Sequence, residues 1–245
     1  MKKFQIIILA AGQGTRLMPL TIDKPKTMVM VNGKPLIDYI FSTFDPNLIK
    51  NVAIVVGHCG QIIKDHFKNS FKDISIDYVE NEIHDKTNST YSLWLAKSYM
   101  KDDIIIINAD TIFHKDILSN LMNSSYESGL AIDDTLSPPL PEEAMKATIK
   151  DKVITDVSKT ILSENTDGDA IGMYKFSGVG LKILIEELDN LINNSVTDKL
   201  FTFAVQRILK KTKIYSITTE GKPWIEVDDA NDLNDAKTVA SKIEL

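Results

Sequence analysis

The stretch LAAGQGTRLMPLTIDKPK, residues 9–26, is the part of the sequence best suited to bind phosphate. Small residues let backbone N–H groups approach a phosphate chain and form an anion-binding nest. These small residues are Ala10, Ala11, Gly12 and Gly14. Arg16 follows at once, and its guanidinium can hold two phosphate oxygens while remaining charged. The sequence therefore predicts a phosphate-binding loop that ends in an arginine.

Composition and spacing narrow the role of this loop. The chain has 28 lysines and arginines, of which only Arg16 and Arg207 are arginine. The loop lacks the Gly-Lys-Ser/Thr ending of the lysine-bearing nucleotide loop, and Leu17 stands at the third glycine of the dinucleotide fingerprint. Two prolines stiffen the segment that leads to a second cation, Lys26. The alternative interpretation is a tight strand-to-helix turn with a solvated arginine.

Three acidic residues are candidates for a metal site. Asp110 follows the buried strand predicted at 103–107, and a carboxylate at the carboxyl end of a central strand faces the ligand crevice of an open α/β sheet. Glu226 and Asp228 project to one face if their segment is extended. Mg²⁺ takes hard oxygen ligands, and so these carboxylates fit it. Alternatively, Asp110 caps the next helix and the other two are exposed strand-end residues.

The stretch ENEIHDKTNSTYSLWLA, residues 80–96, contains a candidate for base recognition. The amide of Asn88 can donate and accept hydrogen bonds, which would distinguish cytosine from other bases. Residues 87–89 also suit the start of a helix, so a purely capping role stays open.

Further polar residues are candidates for binding an acceptor. Asp133 could bind an ammonium group or begin an exposed turn, and Lys146 could bind an acceptor phosphate or be a solvated strand lysine. Lys159 is a weaker candidate of the same kind. Asp169, which follows a glycine, could also approach the acceptor, and His58 is not expected to act as a base because a phosphate nucleophile needs none.

Apolar patterning places these residues on an α/β fold. Buried strands are predicted at 4–9, 52–56 and 103–107, and a further strand is predicted at 74–79; the run at 4–9 lacks the polar alternation of a half-exposed strand. Residues 145–149 and 153–157 alternate around Lys150-Asp151-Lys152 and predict a β-hairpin over the site. Helices are predicted at 61–67, 89–100, 115–122, 181–192 and 200–209, with Asp229 capping a last helix near Ala230. At 245 residues without a linker-like stretch, the chain is expected to form one domain, residues 1–245.

Composition excludes several classes of function. A net charge of −6 and a pI near 5.3 argue against a broad surface for nucleic acid or for an anionic membrane. Cys59 is the only cysteine, so no intramolecular disulfide can form. No apolar run approaches the roughly 18 residues of a membrane span, and the pattern MKKFQIIILAAGQG does not have the length and cleavage site expected of a signal peptide. We therefore expect a cytoplasmic protein.

The first stretch resembles a family signature. Leu-Ala-Ala-Gly-x-Gly-Thr-Arg-Leu-x-Pro-Leu-Thr followed by Pro-Lys is similar to the signature of nucleotidyltransferases that build sugar nucleotides and related activated head groups, and every named position matches. The later pattern Asn-x-x-Tyr-Ser-Leu resembles bacterial phosphocholine and aminophosphonate cytidylyltransferases more than the sugar-phosphate branches. The resemblance implies a single Rossmann-like nucleotidyltransferase domain with a central mixed, mostly parallel sheet flanked by helices.

The resemblance also implies roles for individual residues. Arg16 would stabilise charge on the reacting phosphates, Lys26 would bridge nucleotide and acceptor, and Asp110 and Asp228 would bind Mg²⁺ with Glu226 nearby. The residues expected around the nucleotide are Leu9, Ala10, Ala11, Gly12, Gly14, Thr15, Gly57, Asn88 and Ser89.

The reaction expected from this resemblance is transfer of a cytidylyl group from CTP to a small phosphorylated acceptor, with release of pyrophosphate. Phosphocholine, aminophosphonates and phosphorylated amino acids or polyols of surface-glycan pathways are the acceptor classes, and many relatives self-associate, so a homo-oligomer is one expectation. A sugar 1-phosphate acceptor with another nucleotide is the alternative reaction. A non-catalytic nucleotide-binding regulatory subunit is the alternative from another class.

Overall fold

A computed structural model describes residues 3–243 of the chain. Ten strands form one central sheet and helices cover both of its faces. The strands are β1 Phe4–Ala10, β2 Met30–Val31, β3 Lys34–Pro35, β4 Ile49–Val56, β5 Ser70–Phe71, β6 Ile74–Glu80, β7 Ile104–Asn108, β8 Thr111–Phe113, β9 Ser128–Asp133, β10 Lys146–Lys150, β11 Val153–Ser158, β12 Gly168–Phe176, β13 Tyr215–Thr218 and β14 Trp224–Glu226.

Seven α-helices connect these strands in the described part of the chain. They are α1 Leu36–Ser42, α2 Gly60–Phe67, α3 Ser89–Leu95, α4 Lys115–Asn123, α5 Gly178–Asn193, α6 Thr202–Ile208 and α7 Ala230–Ala240. The predicted helix at 89–100 is α3 continued by a 3₁₀ segment, Ala96–Tyr99. Asp229 caps α7 through a capping box with Asp232, as predicted. Within residues 3–243, no helix combines the length and hydropathy needed to cross a bilayer.

The sheet is mixed, with strand order β10-β11-β13-β9-β12-β7-β1-β4-β6-β5. The strands β7, β1, β4 and β6 run parallel to one another. Next to β7, strand β12 runs antiparallel to β7 on one side and to β9 on the other, and β9 is parallel to β13. The predicted hairpin is formed by β10 and β11. Leu9 of β1 pairs with Asn108 of β7, so the glycine loop and the turn that contains Asp110 leave the sheet side by side.

Strand alternation divides the core into two layers. Ile6 and Ile8 of β1 pack with α1, α2 and α4 on one face, whereas Ile7 packs with α3, α5 and α6 on the other. All three are fully buried, which explains why β1 lacks polar alternation. Burial on both faces therefore fixes the strand ends from which the polar loops emerge.

A third apolar cluster holds the two ends of the described chain together. It contains Leu17, Val29 and Val31 from the segment around the glycine loop, and Val227 and Ala236 from the segment that leads into α7. This cluster brings residues that are distant in sequence to the same edge of the sheet.

Candidate active site

Buried apolar anchors flank the charged residues of the site. Leu17, next to Arg16, is 2% exposed, and Val227, between Glu226 and Asp228, is fully buried. The N–H of Val227 donates to the carbonyl of Asp110 at 2.9 Å, and β14 pairs with β8 just beyond that residue. Because Val227 points into the core, the two acids on either side of it face the cleft, and Asp110 lies beside them.

The glycine loop has a conformation that depends on its small residues. Gly14 has φ +64°, and a Cβ there would lie 2.8 Å from the Cβ of Lys26. The hydroxyl of Thr21 donates to the carbonyl of Gly14 at 2.8 Å and fixes the turn. A Cβ on Gly12, in contrast, would meet nothing within 4 Å. Gly14 is therefore needed for the fold of the loop, whereas Gly12 leaves open space beside the cleft.

Lys26 lies between two carboxylates. Its ammonium donates to Asp110 Oδ2 at 2.9 Å and to Asp228 Oδ1 at 2.5 Å, and its side chain is only 12% exposed. Burial alone would lower the pKa of Lys26, but the two adjacent carboxylates outweigh burial and raise the pKa above its ordinary value. Lys26 is thus a permanent cation at the centre of the site.

Asp228 is paired with both cations that the sequence singles out. Arg16 Nη2 lies 2.6 Å from Asp228 Oδ2, and Lys26 takes the other oxygen. Burial opposes ionisation of Asp228, yet Lys26 and Arg16 lower its pKa below the ordinary value. Arg16 is half-exposed and can reach into the cleft. The site therefore presents a buried lysine and a half-exposed arginine around one ionised aspartate.

The acidic residues fit a divalent cation. One carboxylate oxygen from each of Asp110, Glu226 and Asp228 lies within 4.8 Å of the others. Asp110 Oδ1 is buried and has no hydrogen-bond partner, which is the state expected of an oxygen shaped to bind a ligand. The pKa of Glu226 is raised by desolvation and by the negative charges of Asp110 and Asp228. The Glu226 side chain is exposed to the cleft, where a cation between the three carboxylates would relieve their mutual repulsion.

The predicted base-reading residue both caps a helix and faces the cleft. Asn88 Oδ1 accepts from the N–H of Ser89 at 2.8 Å at the start of α3. Asn81 holds the loop before it, because its amide donates to Thr87 Oγ1 and Ser92 Oγ, both at 3.0 Å. Asn88 also lines the cleft, so the two interpretations of this residue are compatible.

The cleft has a volume of about 240 Å³ and is lined by most of the predicted residues. Those lining it are Leu9, Ala11, Gly12, Arg16, Asn88, Ser89, Asp110, Lys159, Glu226 and Asp228. Lys26 does not itself line the cleft, but its ammonium donates hydrogen bonds to Asp110 and Asp228, which do. Ala10, Gly14 and Thr15 lie in the loop behind this lining, and Gly57 lines a neighbouring cavity. The predicted phosphate, base and metal residues therefore meet in one place.

The structure assigns other roles to three predicted acceptor residues. Lys146 is 1% exposed, and its ammonium donates to the carbonyls of Glu142, Ala144 and Lys159. Those three bonds use every N–H of the ammonium, so Lys146 organises the hairpin end and has no donor left for a phosphate.

Asp133 and Asp169 also lie outside the cleft lining. Asp133 accepts from Thr135 and, at 2.7 Å, from Trp224 Nε1, so its carboxylate stabilises the local fold. Asp169 pairs with Asp133 across β9 and β12, and burial raises the pKa of Asp169 to about 6. Lys146 and Asp133 therefore make structural contacts, and none of the three residues lines the cleft.

Several lining residues were not predicted from sequence. Asn81 follows β6 and Asn108 ends β7, and the rule that ligands bind at the carboxyl ends of parallel strands would have found both. His84 has no comparable signal, because it lies in an irregular loop. Gly172, with φ +76°, packs against Asn108 so closely that a Cβ would lie 2.7 Å from its amide nitrogen.

Comparisons with known proteins agree with this geometry. The nucleotidyl transferase family model matches residues 5–143, which is more than half of the chain. CTP:phosphoglutamine cytidylyltransferase of Campylobacter jejuni is 31% identical over 249 residues, covering 93% of this chain and 96% of that protein. The bifunctional protein GlmU of Methanococcus aeolicus is 30% identical over 234 residues, covering 95% of this chain and 53% of that protein. The chain thus spans about half the length of the GlmU relatives.

A solved structure shows the same fold. The CTP:phosphocholine cytidylyltransferase from Streptococcus pneumoniae superposes with a TM-score of 0.77 at 23% identity, covering 97% of this chain and 99% of that one. An α/β sheet with a glycine loop, paired cations and clustered acids at its edge defines a nucleotide-binding protein of the transferase class. The chain belongs to the nucleotidyl transferase family, as the sequence signature implied.

Proposed function

We propose that this protein transfers a cytidylyl group from CTP to a small phosphorylated acceptor and releases pyrophosphate. The observation that carries the proposal is a chain of three ion pairs, Arg16–Asp228, Asp228–Lys26 and Lys26–Asp110, with N···O distances of 2.6, 2.5 and 2.9 Å. An oxygen of the acceptor phosphate forms a bond to the α-phosphorus of CTP while the bond from that phosphorus to pyrophosphate breaks. No covalent enzyme intermediate is needed.

Different residues of the site would bind the triphosphate, the transferred phosphate and Mg²⁺ in this step. The backbone around Gly12 would bind the triphosphate, and Arg16 would turn from Asp228 to the phosphates, where charge grows as pyrophosphate leaves. Lys26, fixed by two carboxylates, would hold the transferred phosphate at the site. Asp110 and Asp228 would hold Mg²⁺, with Glu226 in reach; when bound, Mg²⁺ supplies further positive charge to the reacting phosphates.

CTP and the acceptor classes are supported by two observations. Asn88 places an amide beside the cleft, as recognition of cytosine requires, and the Campylobacter relative bears the name of a CTP-dependent enzyme. Phosphocholine-like, aminophosphonate and phospho-amino-acid acceptors remain the candidates, and activated products of this kind serve surface-glycan or lipid decoration. We propose that the reaction takes place in the cytoplasm, where nucleoside triphosphates are made.

A sugar 1-phosphate with another nucleotide is the second candidate reaction. The similarity to UTP–glucose-1-phosphate uridylyltransferase AglF of Haloferax volcanii, which is 32% identical over 113 residues and covers 46% of this chain, favours it. A non-catalytic regulatory subunit is less consistent with the site, because the arginine, the lysine and the acids of the signature are all present and paired.

The test is pyrophosphate release with Mg²⁺, crossing CTP, UTP, dTTP, ATP and GTP against the three acceptor classes and several sugar 1-phosphates. We expect release with CTP and its loss by Asp110→Ala. Asp102→Ala is the matched control, because Asp102 is an exposed acid paired with Lys50 away from the cleft. Release only with another nucleotide and a sugar phosphate would favour the second candidate. Nucleotide binding without release in any combination would contradict both reactions.

A further inference from the structure

A second cavity of about 300 Å³ lies next to the cleft, between the hairpin β10–β11 and the start of α6. Cavities that hold small molecules begin at about 300 Å³, so this one can hold a substituent of a small ligand. The residues that line both the cleft and the cavity are Asn88, Met145, Lys159, Leu200 and Thr202. The cleft and the cavity are therefore adjacent, and a ligand bound against Lys159 in the cleft lies next to the cavity.

Lys159 links the phosphate loop to the cavity. Its ammonium lies 3.2 Å from Glu143 Oε2, and Arg16 Nη1 lies 3.6 Å from the same oxygen. Glu143 is 75% exposed, so its carboxylate can be replaced by another anion at little cost. An acceptor phosphate at this point would contact both Arg16 and Lys159, and the rest of the acceptor would point into the second cavity.

The walls of the cavity suit an aliphatic stem and disfavour a quaternary ammonium. Met145, Val157 and Leu200 supply apolar surface. Among the described lining residues, Phe203 alone is aromatic, and the guanidinium of Arg207 lies 5.8 Å from its ring centroid. A trimethylammonium group favours several aromatic faces and would here meet one ring already covered by a cation.

The charges at the cavity favour an anion at the far end of the acceptor. Lys159 and Lys199 line it, against a single acid, Asp198. Lys199 Nζ lies 3.4 Å from Asp198 Oδ2, and both side chains are more than half exposed, so the pair is weak and can open. Because Lys159 would pair with the acceptor phosphate, Lys199 is the lysine of this cavity that can pair with a second anionic group of the acceptor.

We propose that the second cavity binds the part of the acceptor distal to its phosphate, and that this part is an aliphatic stem ending in a carboxylate that pairs with Lys199. The inference rests on the proposed transfer to a phosphorylated acceptor. It selects, among the acceptor classes, those that carry a second anionic group over those that end in a cation.

The experiment compares acceptors of similar length with different ends. Phosphorylated 3-hydroxypropanoate and 4-hydroxybutanoate carry a carboxylate, propyl phosphate is uncharged at its far end, and phosphocholine is cationic. KM is measured by pyrophosphate release, and Kd is measured by titration calorimetry without nucleotide turnover. Lys199→Met removes the charge and Lys199→Glu reverses it. Lys210→Glu is the control, because Lys210 is an exposed lysine outside both cavities.

We expect the carboxylate probes to have a KM and Kd about fivefold lower than those of propyl phosphate, and phosphocholine to be the weakest. Lys199→Met should abolish the advantage of the carboxylate and Lys199→Glu should invert it, whereas Lys210→Glu should change neither. Turnover that prefers phosphocholine, or a carboxylate preference that survives Lys199→Met, would overturn the inference while the proposed transfer stands.

Binding separates the inference from the proposed function. If no acceptor releases pyrophosphate but the carboxylate probes bind in a way that depends on Lys199, the transfer is refuted and the anion site is supported. If the carboxylate probes neither bind nor turn over, both are refuted.

Discussion

Replacing Lys26 by methionine would separate the two roles that the structure gives to this residue. Its ammonium neutralises Asp110 and Asp228, and it is also the cation proposed to hold the transferred phosphate. Methionine keeps most of the length of the side chain and removes only the charge. We expect Lys26→Met to lose stability in a way that Mg²⁺ restores, and to lose activity in a way that Mg²⁺ does not restore.

The size of the stability loss follows from the burial of the pair. Removing one partner of a fully buried ion pair costs about 3–5 kcal/mol. Asp110 and Asp228 are 24% and 18% exposed, so water can partly solvate them and the free energy of unfolding should fall by about 2–3 kcal/mol. With a dependence on urea of about 2–3 kcal/mol per molar, the midpoint of unfolding should fall by roughly 1 M.

Mg²⁺ should stabilise the variant more than the parent protein. In the parent, Lys26 competes with a divalent cation for the same carboxylate oxygens, and in the variant that competition is absent. Ligand linkage then gives a larger rise in unfolding free energy for Lys26→Met at the same Mg²⁺ concentration. Activity should still fall by about 10²–10³-fold, because a cation that stabilises the transition state has been removed.

The assay is urea unfolding followed by tryptophan fluorescence, with and without millimolar Mg²⁺, together with pyrophosphate release. Lys24→Met is the control, because Lys24 lies outside the cleft lining and two residues away in the same segment. Equal stabilisation of parent and variant by Mg²⁺ would refute the idea that Lys26 and the cation compete for Asp110 and Asp228. Full activity in Lys26→Met would refute its proposed role with the phosphate.

Three further predictions concern the loop, the hairpin and a buried acid. Gly12→Ala should have the same free energy of unfolding as the parent protein but a KM for the nucleotide about tenfold higher. Gly14→Ala should lower the free energy of unfolding by about 1–3 kcal/mol, because of the positive φ of Gly14 and its contact with Lys26. Steady-state kinetics measure the KM, and urea unfolding measures the stability of both variants. Lys146→Met should lower the free energy of unfolding by about 2–4 kcal/mol, because three carbonyls lose their buried hydrogen-bond donor. An unchanged midpoint of urea unfolding would contradict the role of Lys146 in the hairpin. The pKa of Asp169 is about 6 in the folded protein against 3.8 ordinarily, so ionisation of this acid removes stability as the pH rises from about 4 to about 6. As the pH rises from 3.5 to 7.5, the free energy of unfolding of Asp169→Asn should therefore rise by about 3 kcal/mol relative to that of the parent protein. Urea unfolding across this pH range measures the difference. A difference between the two proteins that does not change with pH would contradict the raised pKa of Asp169.

The residues at strand ends were the ones that sequence could locate. Arg16 and Asp110 follow buried apolar runs, and the carboxyl ends of neighbouring parallel strands must meet at one edge of the sheet. The capped helix after Asp228 could also be predicted, whereas the metal role of Asp228 was implied by the family resemblance. Local pattern was sufficient for Arg16 and Asp110 because the fold class determines where strand ends lie.

Residues on the second half of the sheet were harder to predict. Lys146 alternates with apolar residues like any solvated strand lysine, and only the folded loop before it reveals the carbonyls that surround its ammonium. Asp133 looked like a free acid because its partner, Trp224, is 91 residues away in sequence. The strands β8 and β14 have three residues each, too few for a periodic signal, yet their pairing brings Glu226 next to Asp110.

The ion pairs of the site could not have been derived from sequence either. The motif predicted two cations and two acids, with each acid reserved for a metal. The structure pairs Lys26 with both acids, because charges that lie a few ångströms apart in a partly buried cleft must be compensated. Distances of this kind depend on the apolar cluster around Leu17 and Val227, which joins segments about 210 residues apart.

The segment at 197–201 is fastened to the start of α3 by three hydrogen bonds. Asn88 N–H donates to Thr197 O at 2.9 Å, Thr90 N–H donates to Lys199 O at 3.0 Å, and Phe201 N–H donates to Ser89 Oγ at 2.9 Å. Asn88, the candidate residue for base recognition, lies at the start of α3, and the segment at 197–201 forms part of the second cavity. During divergence, a substitution that reshapes one wall would shift the other, so nucleotide and acceptor preferences would be inherited together. A graft of residues 197–203 from a relative would therefore need residues 88–90 from the same relative in order to transfer its specificity.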